Sequence, residues 1–275
     1  MNEYALSSLI SDESILLDTF TQPRHDFSLM SAAQYFHDNS ALEYLVFQKA
    51  DKKTRMRHIV SKIYDQDILM NIALNHPAEE AQAYAVLNMD QSHASDYLSL
   101  NNSDAIKEKI MRERNYKGIL NEISKIRSLA HKIALVKCIT DEGILEKICL
   151  SDNDIEIQRA CVRNIKETGR LLRIIKRTNS GEVSQDAVYN IDDEYILRDL
   201  AMNNNNRRAR DESIKKIADE EFLVDIAKNH EYRFVRETAI MNPHLVSKTL
   251  LDILETEEDK YVQIKILEKI CKLGD

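Results

Sequence analysis

The sequence predicts an all-α protein built as a stack of short helical hairpins, and three observations carry that prediction. Five Gly, three Pro and no Trp in 275 residues are poor turn chemistry for a many-stranded fold, and the abundant Leu, Ile, Ala, Lys, Glu and Asp suit helices. Apolar residues recur along the chain with a mean period of 26. Within each period they fall at i, i+3 and i+4, which marks one face of a short helix.

In chain order the lattice begins at Ile10, Leu16, Thr19 and Phe20. It continues, with slips of one residue, at Phe36, Leu42, Leu45 and Val46, then at Ile63, Leu69, Ile72 and Ala73. It weakens at Met89, Ser95, Leu98 and Ser99, and again at Arg114, Leu120, Ile123 and Ser124. Four units then follow without a slip: Ile139, Leu145, Ile148, Cys149; Ile165, Leu171, Ile174, Ile175; Ile191, Leu197, Leu200, Ala201; and Ile217, Leu223, Ile226, Ala227. The pattern returns shifted by one at His244, Leu250, Ile253 and Leu254, and the next start falls on Ile270.

After about five polar residues each unit carries a second stripe, such as Ile157, Ala160, Cys161, Ile165 or Phe234, Val235, Thr238, Ala239, so each unit reads as a hairpin. Helices of this length are marginal alone, because nucleation is costly and each buries only one face. Stacked neighbours supply the missing core, and the expected product is a right-handed α-solenoid of about ten hairpins spanning residues 1–275 as one domain. Gly143 and Gly169, also 26 apart, suit turns before the first helix of their units.

The first twenty residues lack a basic leader with an uninterrupted apolar core, and no stretch approaches the roughly 18 to 20 apolar residues of a membrane span, so a soluble cytoplasmic protein without membrane contact is expected. Cys138, Cys149, Cys161 and Cys271 sit inside apolar patterns with no C-x-x-C spacing and read as buried free thiols.

One unit, Val235 to Leu245 ("VRETAIMNPHL"), resembles the leucine-rich repeat variant pattern V-R-x-x-A-x-x-N-P-x-L, and Ile72 to Met89 echoes it more loosely. The 26-residue period resembles the HEAT-like class of α-solenoids in a short version. That resemblance implies a binding scaffold. The HEAT-like alkylpurine DNA glycosylases use tryptophans, and this chain has none. Dimetal hydroxylases of HEAT type need several His-Glu pairs, and only His230-Glu231 is present. Phycobilin lyase-like repeats have no sequence-defined site and stay open.

The eight histidines are never within four residues of one another, so they read as loop or capping residues, and neither a metal nor a cofactor is expected. Five dispersed glycines give no phosphate-cradling loop, and no G-x-S-x-G occurs; no catalytic residue is assigned. Asp192-Asp193, Glu220-Glu221 and Glu257-Glu258-Asp259 lie near helix starts, where N-capping accounts for them.

Net charge is −8 but uneven: residues 101–180 carry 17 basic against 11 acidic side chains, while both flanks are acidic. A basic patch is expected at Arg112, Arg114, Lys117, Lys125, Arg127 and Lys132, extended by Arg170 and Arg173, with Arg208 as a further surface cation. Second-helix polar positions that differ between units, including Gln82, Arg159, Gln185, Arg210, Arg236 and Lys265, suit a tailored groove. The expected function is therefore non-enzymatic binding of a protein with an acidic surface, as an adaptor or as an inhibitor such as a toxin-neutralising immunity protein. The rival is a DNA- or RNA-binding or DNA-processing protein that uses the basic band, since phosphate contacts dominate such binding.

Overall fold

A computed structural model describes residues 38–49, 53–101, 103 and 116–273. All seventeen regular elements among them are α-helices, and no strand occurs among the described residues. In order these are α1 (Asn39–Lys49), α2 (Lys53–Val60), α3 (Gln66–Asn75), α4 (Glu79–Asn88), α5 (Gln91–Leu100) and α6 (Tyr116–Ser124). Then follow α7 (Leu129–Lys137), α8 (Glu142–Ser151), α9 (Ile155–Arg163), α10 (Thr168–Arg177), α11 (Gly181–Tyr189) and α12 (Glu194–Asn203). The remainder are α13 (Arg207–Lys216), α14 (Glu220–Asn229), α15 (Arg233–Ile240), α16 (Ser247–Leu254) and α17 (Lys260–Leu273). No described helix is long and apolar enough to cross a membrane.

The helices form two compact units. One holds the described residues up to Ile148 with Asp152–Cys161, the other Cys149–Ser151 and Val162 onwards, so α8 and α9 contribute to both. In the second unit, α11, α13, α15 and α17 pack each on the next, and α12, α14 and α16 each pack on the helix that follows in sequence. In the first unit α2 packs on α4, but α7 packs directly on α4 as well as on α5. There the stack advances by 50 residues instead of 26: Lys137 Nζ donates to Leu87 O at 3.0 Å, and Leu129 N to Glu79 Oε1 at 2.8 Å.

The four unslipped apolar units are buried as expected, with Ile165, Leu171, Ile174, Ile191, Ala201, Ile217, Leu223 and Ala227 at 0% exposure. Each such aliphatic side chain contributes roughly 1.5–3 kcal/mol of burial. In the weak units Met89, Leu98 and Ile123 are buried as expected, but the buried helix sets start one residue earlier than the lattice places them, at Ala94, Tyr97, Leu98 and at Ile119, Ile123, and Leu245, not His244, begins the last unit. On α15 the buried stripe is Val235, Ala239, Ile240, with Phe234 and Thr238 half-buried. Gly143 and Gly169 lie inside the first turns of α8 and α10, not in the turns before them. Cys138, Cys149 and Cys161 are buried, but Cys271 is exposed on the outer side of α17. The lattice positions before residue 38 lie outside the described residues.

Polar side chains repeat as strictly as apolar ones. In the last turns of the second helix of a hairpin, or just after it, one residue reaches back to carbonyls around the end of the equivalent helix before it. Asn190 Nδ2 donates to Val162 O, Arg163 O and Ile165 O at 3.0, 3.2 and 3.0 Å. Lys216 Nζ donates to Tyr189 O and Ile191 O, both at 2.5 Å. Asn242 Nδ2 donates to Ile214 O, Lys215 O and Ile217 O at 2.7, 3.3 and 2.9 Å, and Lys269 Nζ to Asn242 O and Leu245 O. Except at Val162 and Asn242, whose carbonyls also accept Ile165 N and Leu245 N, these carbonyls lie at or just past a helix end, beyond the intrahelical ladder, so each rung satisfies groups that burial would otherwise leave unmet.

The turn inside each hairpin is fixed in the same periodic way. Asp152, Thr178, Asn204, His230 and Glu257 each accept, through the side chain, the N–H two residues on, at 2.8, 3.1, 2.8, 3.2 and 2.9 Å. Six residues further, Gln158, Arg210, Arg236 and Gln263 donate back to the carbonyls of Asp152, Asn204, His230 and Glu257. His76 and Gln82 repeat both contacts in the first unit. The expected capping role of histidine is seen at His76 and His230. Asp65, Asp90, Asp141, Asp193 and Asp219 N-cap their helices, Glu220 and Glu221 fall in the first turn of α14, and Asp192 pairs with Lys216.

His230 gives this turn a pH dependence. Burial, and then the charges of Arg210 and Arg236, hold its pKa below the ordinary 6.5. Its Nδ1 must stay unprotonated to accept from Tyr232 N. The stability it contributes is therefore complete above pH 6.5 and is lost as pH falls through the lowered folded value. Thermal unfolding followed from pH 7.5 to about 5 should show a steadily falling Tm, and His230→Asn, which installs the acceptor found at Asn204, should flatten part of that fall. His131, whose pKa burial also lowers, accounts for a further part.

Candidate functional surface

The predicted basic residues are divided between the two units and the stretch outside the described residues. Arg112 and Arg114 lie outside the described residues, as does the side chain of Lys117. Lys125, Arg127 and Lys132 belong to the first unit, and Arg170, Arg173 and Arg208 to the second. Several are occupied: Lys125 pairs with Glu122 at 2.8 Å, Arg170 with Glu167 at 2.5 Å and Arg208 with Glu182 at 2.9 Å. Arg127 is exposed and Lys132 half-buried, and neither forms an ion pair among the described residues; Arg173 is exposed on α10. The Arg208 pair joins α13 to α11 across 26 residues, and the Arg208 stem lies 3.0 Å from where a Cβ on Gly181 would sit.

The polar positions expected to line a groove are likewise engaged. Gln185 donates to Glu212 at 2.9 Å, Lys265 pairs with Glu268 at 2.6 Å, and Gln82, Arg210 and Arg236 hold the hairpin turns. In the first unit Arg159 and Arg57 approach Glu156, which is 2% exposed, at 3.3 and 3.7 Å. Burial, and next the Glu156 charge, push the neighbouring Tyr84 up to about 12. Here two guanidiniums share one buried carboxylate. No group of three or more metal-ligating side chains occurs among the described residues.

What remains open is the edge of the second unit where first helices turn into second helices. Arg207 and Arg233, the first residues of α13 and α15, repeat one arrangement. Each pairs with a carboxylate one turn on, Asp211 or Glu237, at 3.3 Å. Each also lies over an aromatic ring of the next second helix: Arg207 over Phe234 at 4.9 Å, Arg233 over Tyr261 at 4.7 Å. Tyr232 stacks on Phe234 at 5.6 Å, and Arg210 covers the same ring at 5.2 Å. Tyr232 and Tyr261 nevertheless expose 50% and 65% of their surface. At Arg236 the equivalent guanidinium is held by Glu257, but among the described residues no carboxylate pairs with Arg210, whose buried Nε has no hydrogen-bond partner.

Two recesses open on this edge in equivalent places. The first, about 540 Å³, lies between α10 and α12, with Leu172, Ile175 and Leu200 on its floor and Lys176, Thr178 and Asn203–Asn206 around it. The second, about 520 Å³, lies two lattice steps on, between α14 and α16, with Ile253 below and Lys228, Arg236, Thr256 and Glu257–Asp259 around it. The four consecutive asparagines thus belong to a recess rim. Asn203 bonds Asp199, Asn204 fixes the turn, Asn206 caps α13, and Asn205 stays exposed. The sequence shows Arg207-Asp211 repeated as Arg233-Glu237 with Asn203–Asn206 as an inter-helix turn; the aromatic rings 27 and 28 residues on, which make this edge a surface, were not read from it.

No family model matches the chain, and no curated protein matches it. A solved chain from the computational design of self-assembling cyclic protein homooligomers is similar at 14% identity, over 99% of this chain and 95% of that one, with a TM-score of 0.13. A likeness of that size carries no argument about fold or function.

Proposed function

We propose that this chain is a non-enzymatic scaffold of the HEAT-like type, its hairpins stacked as in an α-solenoid, that binds a protein segment along the hairpin-turn edge of its second unit. The observation that carries the reading is the periodic arginine-over-aromatic arrangement at Arg207–Phe234 and Arg233–Tyr261, which holds exposed tyrosine and arginine side chains rigid. Tyr and Arg are the residue types that dominate binding energy at protein interfaces, because they offer large contact area with few rotamers to freeze. An adaptor or a stoichiometric inhibitor would use such an edge, and the unneutralised lysines beside it favour a partner with an acidic surface.

The test is a partner captured from the source cells, then measured by calorimetry against wild type and the Tyr232→Ala/Tyr261→Ala double variant. Both tyrosines are at least half exposed, so the variant is expected to fold with its Tm within a few degrees. Affinity is expected to fall at least tenfold, about 1.4 kcal/mol. Unchanged affinity in the folded variant would remove this edge from the function.

A further inference from the structure

We propose that the occupant of this edge is an extended peptide carrying carboxylates at positions i and i+6, an apolar side chain at i+3 and a basic side chain at i+9. The proposal deepens the protein-binding reading and rests on it. Its first support is the order of side chains at one lattice position, the last turn of each first helix: Lys176 on α10, Met202 on α12, Lys228 on α14 and Glu255 just after α16. Read along the edge, that is positive, apolar, positive, negative. All four are exposed, and among the described residues neither lysine has an ion-pair partner. Met202 is 46% exposed, an apolar side chain left between two cations.

The second support is spacing. Neighbouring packed helices lie about 8–10 Å apart, and a polyproline II chain advances about 3.1 Å per residue, so one hairpin corresponds to about three peptide residues. A chain in the polyproline II conformation laid across the turn edge, with three residues per turn, therefore presents its side chains at i, i+3, i+6 and i+9 to successive hairpins. The recesses flank the two lysines, and their apolar floors at Leu172, Ile175 and Ile253 accept the carbon stems of the entering side chains. At the second recess Arg236 offsets Glu257, which leaves Lys228 for the ligand's second carboxylate and Glu258, with Glu255, for its basic residue. The order of charges makes the site directional.

The experiment uses fluorescein-labelled peptides and the full chain in anisotropy titrations. The probes are Asp-Ser-Ser-Leu-Ser-Ser-Asp-Ser-Ser-Lys, its reversed sequence, and a scrambled peptide of the same composition. The Asp-first peptide should bind at least tenfold tighter than the reversed and the scrambled ones. Lys176→Glu and Lys228→Glu, surface changes that leave the thermal transition in place, should each weaken it at least tenfold. Replacing the second Asp of the peptide by Lys should restore binding to the Lys228→Glu variant. Equal binding of ordered and scrambled peptides, or binding unaffected by both lysine variants, overturns the inference. If the tyrosine variant loses the captured partner while no ordered peptide binds, only this ligand assignment fails; if the captured partner is kept by the tyrosine variant, the edge itself is not the binding surface.

Discussion

Replacing Asn242 with alanine should lower the free energy of unfolding by about 2–3 kcal/mol, although the change removes only a small amide group. Asn242 is 0% exposed, and its single amide nitrogen donates to three carbonyls at the end of α13 while its Oδ1 accepts His244 N at 2.8 Å. Alanine strands those carbonyls in an interior that water does not reach freely, and a buried unmet acceptor costs more than a made hydrogen bond contributes. Asn242 also carries the next rung, because Lys269 donates to its own carbonyl. Urea unfolding measures the loss. Asn205→Ala, exposed and without a partner, should change stability by less than about 0.5 kcal/mol and serves as the control.

Arg236→Met should cost about 3–4 kcal/mol, the largest effect expected of any charged position in the second unit. The Arg236 and Glu257 side chains expose only 14% and 7%, and two bonds join them at 3.1 and 3.3 Å. The same guanidinium donates to His230 O at 3.0 Å, so its loss also releases the hairpin turn. Most of the cost is the carboxylate left buried without a counter-charge. The double variant Arg236→Met/Glu257→Gln should recover part of the stability, since glutamine keeps the acceptor for Asp259 N and carries no charge. Arg210→Met strands no carboxylate and should cost no more than about 1 kcal/mol. Equal losses at Arg210 and Arg236 would show that the Glu257 charge is not what sets the cost.

The apolar lattice was legible because its residues are the ones burial selects. From Ile139 to Ala227 the period, the stripe and the buried side chains agree. It failed by one residue around Ala94 and Ile119, where alanine and tyrosine replace the larger aliphatics and the stack advances by 50 residues, a step that no period announces. The rung was present in the sequence as the residue before a lattice start, Asn190 before Ile191, Lys216 before Ile217 and Lys269 before Ile270, with Asn242 two residues before the start read at His244. Searching apolar positions alone passes over it, because amide and ammonium look unrelated until both are seen to donate to the same carbonyls.

The basic band was read from charge counts, which register cations but not their partners. Glu182 lies 26 residues before Arg208, so the pair was one lattice step away in sequence. The recesses were less accessible to sequence reasoning. They are made of half-exposed side chains from two first helices, and neither composition nor periodicity separates such residues from ordinary surface.

Where hairpins repeat in role as well as in pattern, a given lattice position does one job whichever residue fills it. The direct measurement is urea unfolding of Lys216→Asn beside Lys216→Ala. Lysine there donates to Tyr189 O and Ile191 O, the carbonyls equivalent to those that Asn190 and Asn242 serve on either side. Asparagine at 216 should therefore keep the rung and stay within about 0.5 kcal/mol of the parent, while alanine should lose about 1.5–2 kcal/mol. If asparagine destabilises as much as alanine, the positions are not interchangeable and the repeating account of this protein is wrong.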